Sequence, residues 1–109
     1  MEKKEQDRIV RRYYQYLKLE KGCSANTIDA YMRDLDKFLN FIKEEGKDFM
    51  TAQLEDMHDF SALMTDIGIN PVSLSRILSG IRSFYHFLVL GDIIDANPTE
   101  LLEFPKKPQ

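Results

Sequence analysis

The stretch Ser73–Leu88, SLSRILSGIRSFYHFL, decides how this chain is read. Its apolar residues Leu74, Ile77, Leu78, Ile81, Phe84, Tyr85 and Leu88 recur at steps of three and four, which makes one core-facing stripe of an α-helix. The other face carries Ser73, Arg76, Ser79, Arg82, Ser83 and His86, and the stretch contains no acid. Short hydroxyl side chains let a helix backbone come close to base edges and phosphates, while arginine brings charge and forked donors, so this face suits the major groove of duplex DNA. Arg76 and Arg82 lie about 240° apart around the helix and cannot point the same way. Arg76 is assigned to DNA, and Arg82 is left between a phosphate and an internal carboxylate such as Asp34.

Working outward, the same periodicity gives five helices and no convincing strand, so the expected fold is all-α, a compact bundle of four main helices plus a short C-terminal one. The first runs from about Glu5 to Leu19 with Ile9, Val10, Tyr13, Tyr14 and Leu17 inward, and stops near Gly22. The second carries Ile28, Met32, Leu35, Leu39 and Ile42, widened by Tyr31 and Phe38, and ends at Gly46. The third, Leu54 to Ile67, has an acidic outer face. Asn70-Pro71 then offers a cap and a first-turn proline for the fourth, which reaches Leu90. Asn97-Pro98, with Glu100 three residues after Asn97, predicts a capping box opening the short helix through Leu101, Leu102 and Phe104. Residues 1–104 form one domain on this reading, and 105–109, Pro-Lys-Lys-Pro-Gln, read as the start of an interdomain linker.

Composition narrows the classes. The chain has 109 residues, 43% hydrophobic and 30% charged, enough for one core and too few for two. No apolar run approaches the roughly 20 residues that span a bilayer. Met1 is followed by a charged stretch and not by an apolar segment, so a cytoplasmic setting is expected, with no membrane and no small-molecule substrate. Cys23 cannot form an internal disulfide, and His58 and His86 make no zinc pattern, so no cofactor or metal is expected. The net charge of −3 opposes binding to a polyanion, but its distribution is uneven. Residues 43–70 hold two lysines against seven acids, residues 71–91 hold only Arg76 and Arg82, and residues 1–22 hold seven cations against four acids. The acidic middle is expected to face away from DNA, and the isolated domain to bind it weakly.

The second helix opens with Ser24-Ala25-Asn26-Thr27, where free backbone amides and short polar side chains suit a phosphate. The string SANTIDAYMRDLDKF (Ser24–Phe38), the Ser73–Leu88 stretch and the Asn-Pro after it together resemble the N-terminal core-binding domain of Xer-type tyrosine recombinases of the phage-integrase superfamily. The resemblance covers nearly the whole chain. It implies a small SAM-like helical domain forming half of a clamp on double-stranded DNA, with no catalysis of its own. Strand cleavage in the family belongs to a C-terminal catalytic domain, and four protomers meet at synapsis. Carried over by position, the DNA-facing residues are Ser24, Asn26, Thr27, Tyr31 and Arg33 on the second helix, and Ser73, Ser75, Arg76, Ser79, Arg82 and Ser83 on the fourth. The sequence departs from many relatives at Gly80, where alanine is common, which points to close approach of another backbone or of DNA. Ser24 and Thr27 also suit simple capping, and Asp34 reads as a carboxylate that orients a neighbouring arginine or a helix end. The five tyrosines sit on or beside apolar stripes and are not expected to be nucleophiles.

Two rival classes remain on sequence grounds. A SAM-like protein-interaction module fits the acidic net charge, and an exposed apolar patch would favour it. A helix-turn-helix repressor needs two helices joined by a short turn, whereas here a whole helix separates the two candidates.

Overall fold

The starts of the second and fourth helices and the end of the second are set by residues suited to the purpose. In the computed structural model, which describes residues 1–104, α1 spans Lys3–Leu19, α2 Ala25–Glu44, α3 Leu54–Asp66 and α4 Pro71–Leu90. No strand occurs among the described residues. Ser24 caps α2 by accepting the Thr27 N–H at 3.2 Å. Asn70 caps α4 by accepting the Ser73 N–H at 2.9 Å, with Pro71 in the first turn, where a missing N–H leaves no bond unmade. At the start of α3 the buried Asp56 carboxylate accepts the Gln53 N–H at 2.8 Å. Beyond α2, Gly46 takes φ of +76° and the Lys47 N–H returns to the Ile42 carbonyl at 2.9 Å, a left-handed closure that a Cβ would oppose.

The helix α4 is the centre of the bundle. Its stripe Leu74, Ile77, Leu78, Ile81, Phe84, Tyr85 and Leu88 is buried throughout, as its spacing requires. Ile9, Tyr13 and Leu17 come in from α1, Ile28, Leu35, Phe38, Leu39 and Ile42 from α2, and Met57, Phe60 and Met64 from α3. Aromatic rings meet edge to face, Tyr13 with Phe84 at 5.2 Å, Phe38 with Phe60 at 5.4 Å and Phe49 with Phe84 at 5.5 Å. Each such pair is worth about 0.5–1.5 kcal/mol beyond its buried area. Phe49 belongs to the α2–α3 connection and not to any helix, yet it is fully buried, and its carbonyl accepts the Tyr85 hydroxyl at 2.8 Å. No helix among the described residues is long and apolar enough to cross a membrane.

The short fifth helix expected from Asn97 is a difference. The described chain makes two turns instead, Glu100 N–H to Asn97 O at 3.2 Å and Leu102 N–H to Thr99 O at 3.0 Å. Asn97 Oδ1 accepts from the Thr99 N–H at 2.8 Å, two residues on, so it forms an Asx-type turn and not a helix cap. The carbonyls of Thr99 and Leu102 also turn inward to a side chain of α4, which draws this segment against the bundle. Thr99 and Leu102 are buried as a result, while Leu101 is 78% exposed. The expected linker 105–109 lies outside the described residues.

Candidate nucleic-acid interface

The helices α2 and α4 cross at Gly80. A Cβ placed on Gly80 would stand 3.5 Å from Tyr31 Cδ1 and 3.9 Å from Tyr31 Cα, so the close approach expected at this glycine is made by α2 itself. Tyr31 is half-buried there. Its ring packs at the crossing. Behind it the buried Tyr13 hydroxyl donates to the Gly80 carbonyl at 3.4 Å. Burial pushes the Tyr13 hydroxyl well above the ordinary phenol range, against the pull of a hydrogen bond with Ser83, and burial does the same to Tyr85. Both are packing tyrosines.

One turn towards the start of α4, Arg76 reaches across to α2. Its Nη2 donates to Asp34 Oδ1 at 3.3 Å, and its Nε lies 3.3 Å from Oδ2 without the alignment of a hydrogen bond, leaving Oδ2 unsatisfied. The two side chains are unequally placed: Asp34 is 2% exposed and Arg76 50%. The carboxylate is thus the buried anchor and the guanidinium the outer, wet member, as the reading of Asp34 as an orienting acid requires. Lys37, one turn along α2, lies 4.0 Å from Asp34 Oδ1.

Around this pair the expected residues fall into groups. Ser75, Ser79 and Ser83 line the outward side of α4 half-buried, small enough for the helix backbone to be approached, and Ser73 sits near its start. At the start of α2, Ser24, Asn26 and Thr27 are exposed. Ser24 Oγ donates to Thr27 Oγ1 at 3.0 Å besides capping, so these two hydroxyls already serve the helix end. Asn26 and Arg33 border an open hollow with Asp29 and Met32. Arg33 is exposed and has no ion pair among the described residues. Lys37 was absent from the sequence reading, although its place four residues after Arg33 puts both cations on one face of α2.

Arg82 turns towards the C-terminal end of the chain. Its Nη2 donates to the carbonyls of Leu102 at 2.7 Å and Thr99 at 3.2 Å, and its guanidinium carbon lies 4.4 Å from the centre of the Phe104 ring. Nε is buried without a partner. Asp34 does not take this side chain, because the C-terminal turns occupy that flank of α4 and present neutral acceptors first. His86 stays exposed. Among the described residues no group of three His, Cys, Asp or Glu is gathered as a metal site.

The comparison with known sequences falls on this arrangement. Residues 10–91, which include α2, α3, α4 and most of α1, match the sequence profile of the phage integrase N-terminal SAM-like domain. The chain belongs to that family. Among curated relatives of this SAM-like domain, it is 34% identical over 101 residues to the tyrosine recombinase XerC of Pediococcus pentosaceus, an alignment covering 91% of this chain and 34% of the relative. It is 33% identical over 97 residues to the tyrosine recombinase XerD of Oceanobacillus iheyensis, covering 87% and 33%. It is 36% identical over 101 residues to the tyrosine recombinase XerD of Staphylococcus aureus, covering 90% and 34%. The SAM-like domain thus spans about one third of the length of the curated relatives it matches. No solved structure matches it.

Proposed function

We propose that this domain binds double-stranded DNA for a site-specific tyrosine recombinase, holding one arm of the recombination site while a catalytic domain elsewhere in the parent chain cleaves the strand. The observation that carries the reading is the half-exposed Arg76 fork, set where two helices cross and flanked by Ser75, Ser79 and Ser83, with no acid on α4. Arg33 and Lys37 extend the positive edge along α2, and the capped start of α2 adds free amides for a phosphate. The relatives bear the name tyrosine recombinase, which suits the same role. Strand cleavage, partner protomers at synapsis and a cytoplasmic setting belong to this proposal through the parent protein.

A second reading has one observation in its favour. At the C-terminal ends of α1 and α4, Leu19 is 76% and Leu90 60% exposed, beside Tyr16 and Phe87, which suits a protein contact. That patch lies about 20 Å along α4 from Arg76, so the two readings concern different surfaces. An amide NMR titration with a short duplex at low salt separates them. Shifts confined to residues 24–37 and 73–83, lost on raising salt, are expected. An absence of shifts there, in a titration carried to millimolar duplex, overturns the DNA reading.

A further inference from the structure

We infer that Asp34 is a specificity-positioning residue, whose buried carboxylate converts Arg76 from a mobile charge into a directed hydrogen-bond donor. The inference rests on the DNA-binding reading. Burying a carboxylate is costly unless it is paired and hydrogen-bonded, yet here one oxygen is left without a hydrogen bond, and the two cations within 4.0 Å, Arg76 and Lys37, are both half-exposed. Lys37 stands off at 4.0 Å. A pair meant only to join α2 to α4 needs no wet member, because neighbouring positions along the same crossing are filled by packing between Gly80 and Tyr31.

The placement has an electrostatic result. Seen from several ångströms away, Asp34 cancels the charge of Arg76, so the pair adds little to sequence-independent attraction. Seen at contact, the carboxylate fixes the plane of the guanidinium, and no other protein acceptor among the described residues takes its remaining N–H groups. A fixed fork is what base-edge recognition requires, and a free one favours phosphates wherever they are. Asp34 therefore trades general affinity for preference between sequences.

The test uses the 109-residue chain in two assays: affinity for one fixed duplex of arbitrary sequence across a salt series, and selection from a randomised duplex pool. Asp34→Asn keeps the size of the side chain and removes its charge. It should raise affinity for the arbitrary duplex several-fold, steepen the salt dependence by up to about one unit, and flatten the base preference at the positions selected by the wild type. Arg76→Lys, which keeps the charge but not the fork, should flatten the preference and leave the salt dependence as it was. Circular dichroism checks folding, and if Asp34→Asn does not fold, Arg76→Lys decides. Unchanged selection by the folded variants, with only a lower melting temperature, overturns the inference and makes the pair a structural tie. A wild type that binds no duplex at low salt overturns the DNA reading together with it.

Discussion

Around Arg76 the domain keeps a cation half in solvent and buries its counter-charge, whereas around Arg82 it draws the cation inward and no ion pair forms with it among the described residues. Both arginines stand on α4, in stretches of similar composition. The difference comes from what packs on each flank. On the α2 side a carboxylate is available at the crossing, and the guanidinium stays at the rim. On the other side the chain beyond α4 folds back in two turns whose carbonyls, with the Phe104 ring, accept the guanidinium as a strut. The first arrangement leaves donors for a partner molecule, and the second uses them within the domain.

Arg76→Ala should break the comparison most severely. It leaves the buried Asp34 with only the half-exposed Lys37 at 4.0 Å, and a loss of about 2–3 kcal/mol is expected from chemical denaturation, less than for a fully buried pair because water reaches the outer side. Adding Asp34→Asn to that variant should recover most of the loss, so the double-mutant cycle separates a stranded charge from lost packing.

Arg82→Ala removes two charge-assisted hydrogen bonds, and about 1.5–2 kcal/mol is expected, with the amides of residues 97–104 exchanging faster. Its salt dependence of DNA binding should match the wild type. A shallower dependence would return Arg82 to the interface and end the contrast between the two arginines.

Gly80→Ala sharpens the α2 side. The added methyl meets Tyr31 at an ordinary contact distance, so the helix should gain up to about 1 kcal/mol of propensity and melt at a higher temperature. A lower melting temperature would mean that the crossing has no room to spare.

The smallest effect concerns a third cation, Lys47, distant in sequence from both arginines, whose Nζ lies 2.8 Å from Asp56 Oδ1. Burial pushes the Asp56 carboxyl up, but the Lys47 hydrogen bond, the Gln53 N–H and the Lys47 charge outweigh it and hold the group below its ordinary value. A depressed carboxylate contributes stability above its unfolded value and loses it as pH falls through the folded one. Stability should therefore decline as pH drops below the ordinary aspartate range near 3.8, and Asp56→Asn should flatten that part of the profile. An unaltered profile in the variant would assign the acid sensitivity elsewhere.

Much of the fold was legible in the chain because amphipathic periodicity, proline at a first turn and glycine past a last turn are local signals. The stripe from Leu74 to Leu88 and the caps at Ser24 and Asn70 needed no knowledge of the rest of the molecule. Phe49 escaped notice because a single aromatic in a connection has no period to reveal it. The Asn97-Pro98 signal predicted a helix that the chain does not make, since its carbonyls have a tertiary acceptor's counterpart in Arg82 that no local pattern records. Within the candidate interface, the acid-free face of α4 was readable, but the pairing of Asp34 with Arg76 depends on residues 42 apart.

The sequence by itself determined an all-α chain, the order and approximate limits of α1 to α4, and most of the inward residues of each, because these follow from hydrogen-bonding and hydrophobic spacing within a few residues. Tyr14, expected inward, is exposed. Only the tertiary structure decided which arginine faces solvent and which holds the C-terminal turns. That outcome depends on the acceptors brought alongside α4 by other segments, carboxylate on one flank and carbonyls on the other, and such distant neighbours are set by packing and not by local spacing.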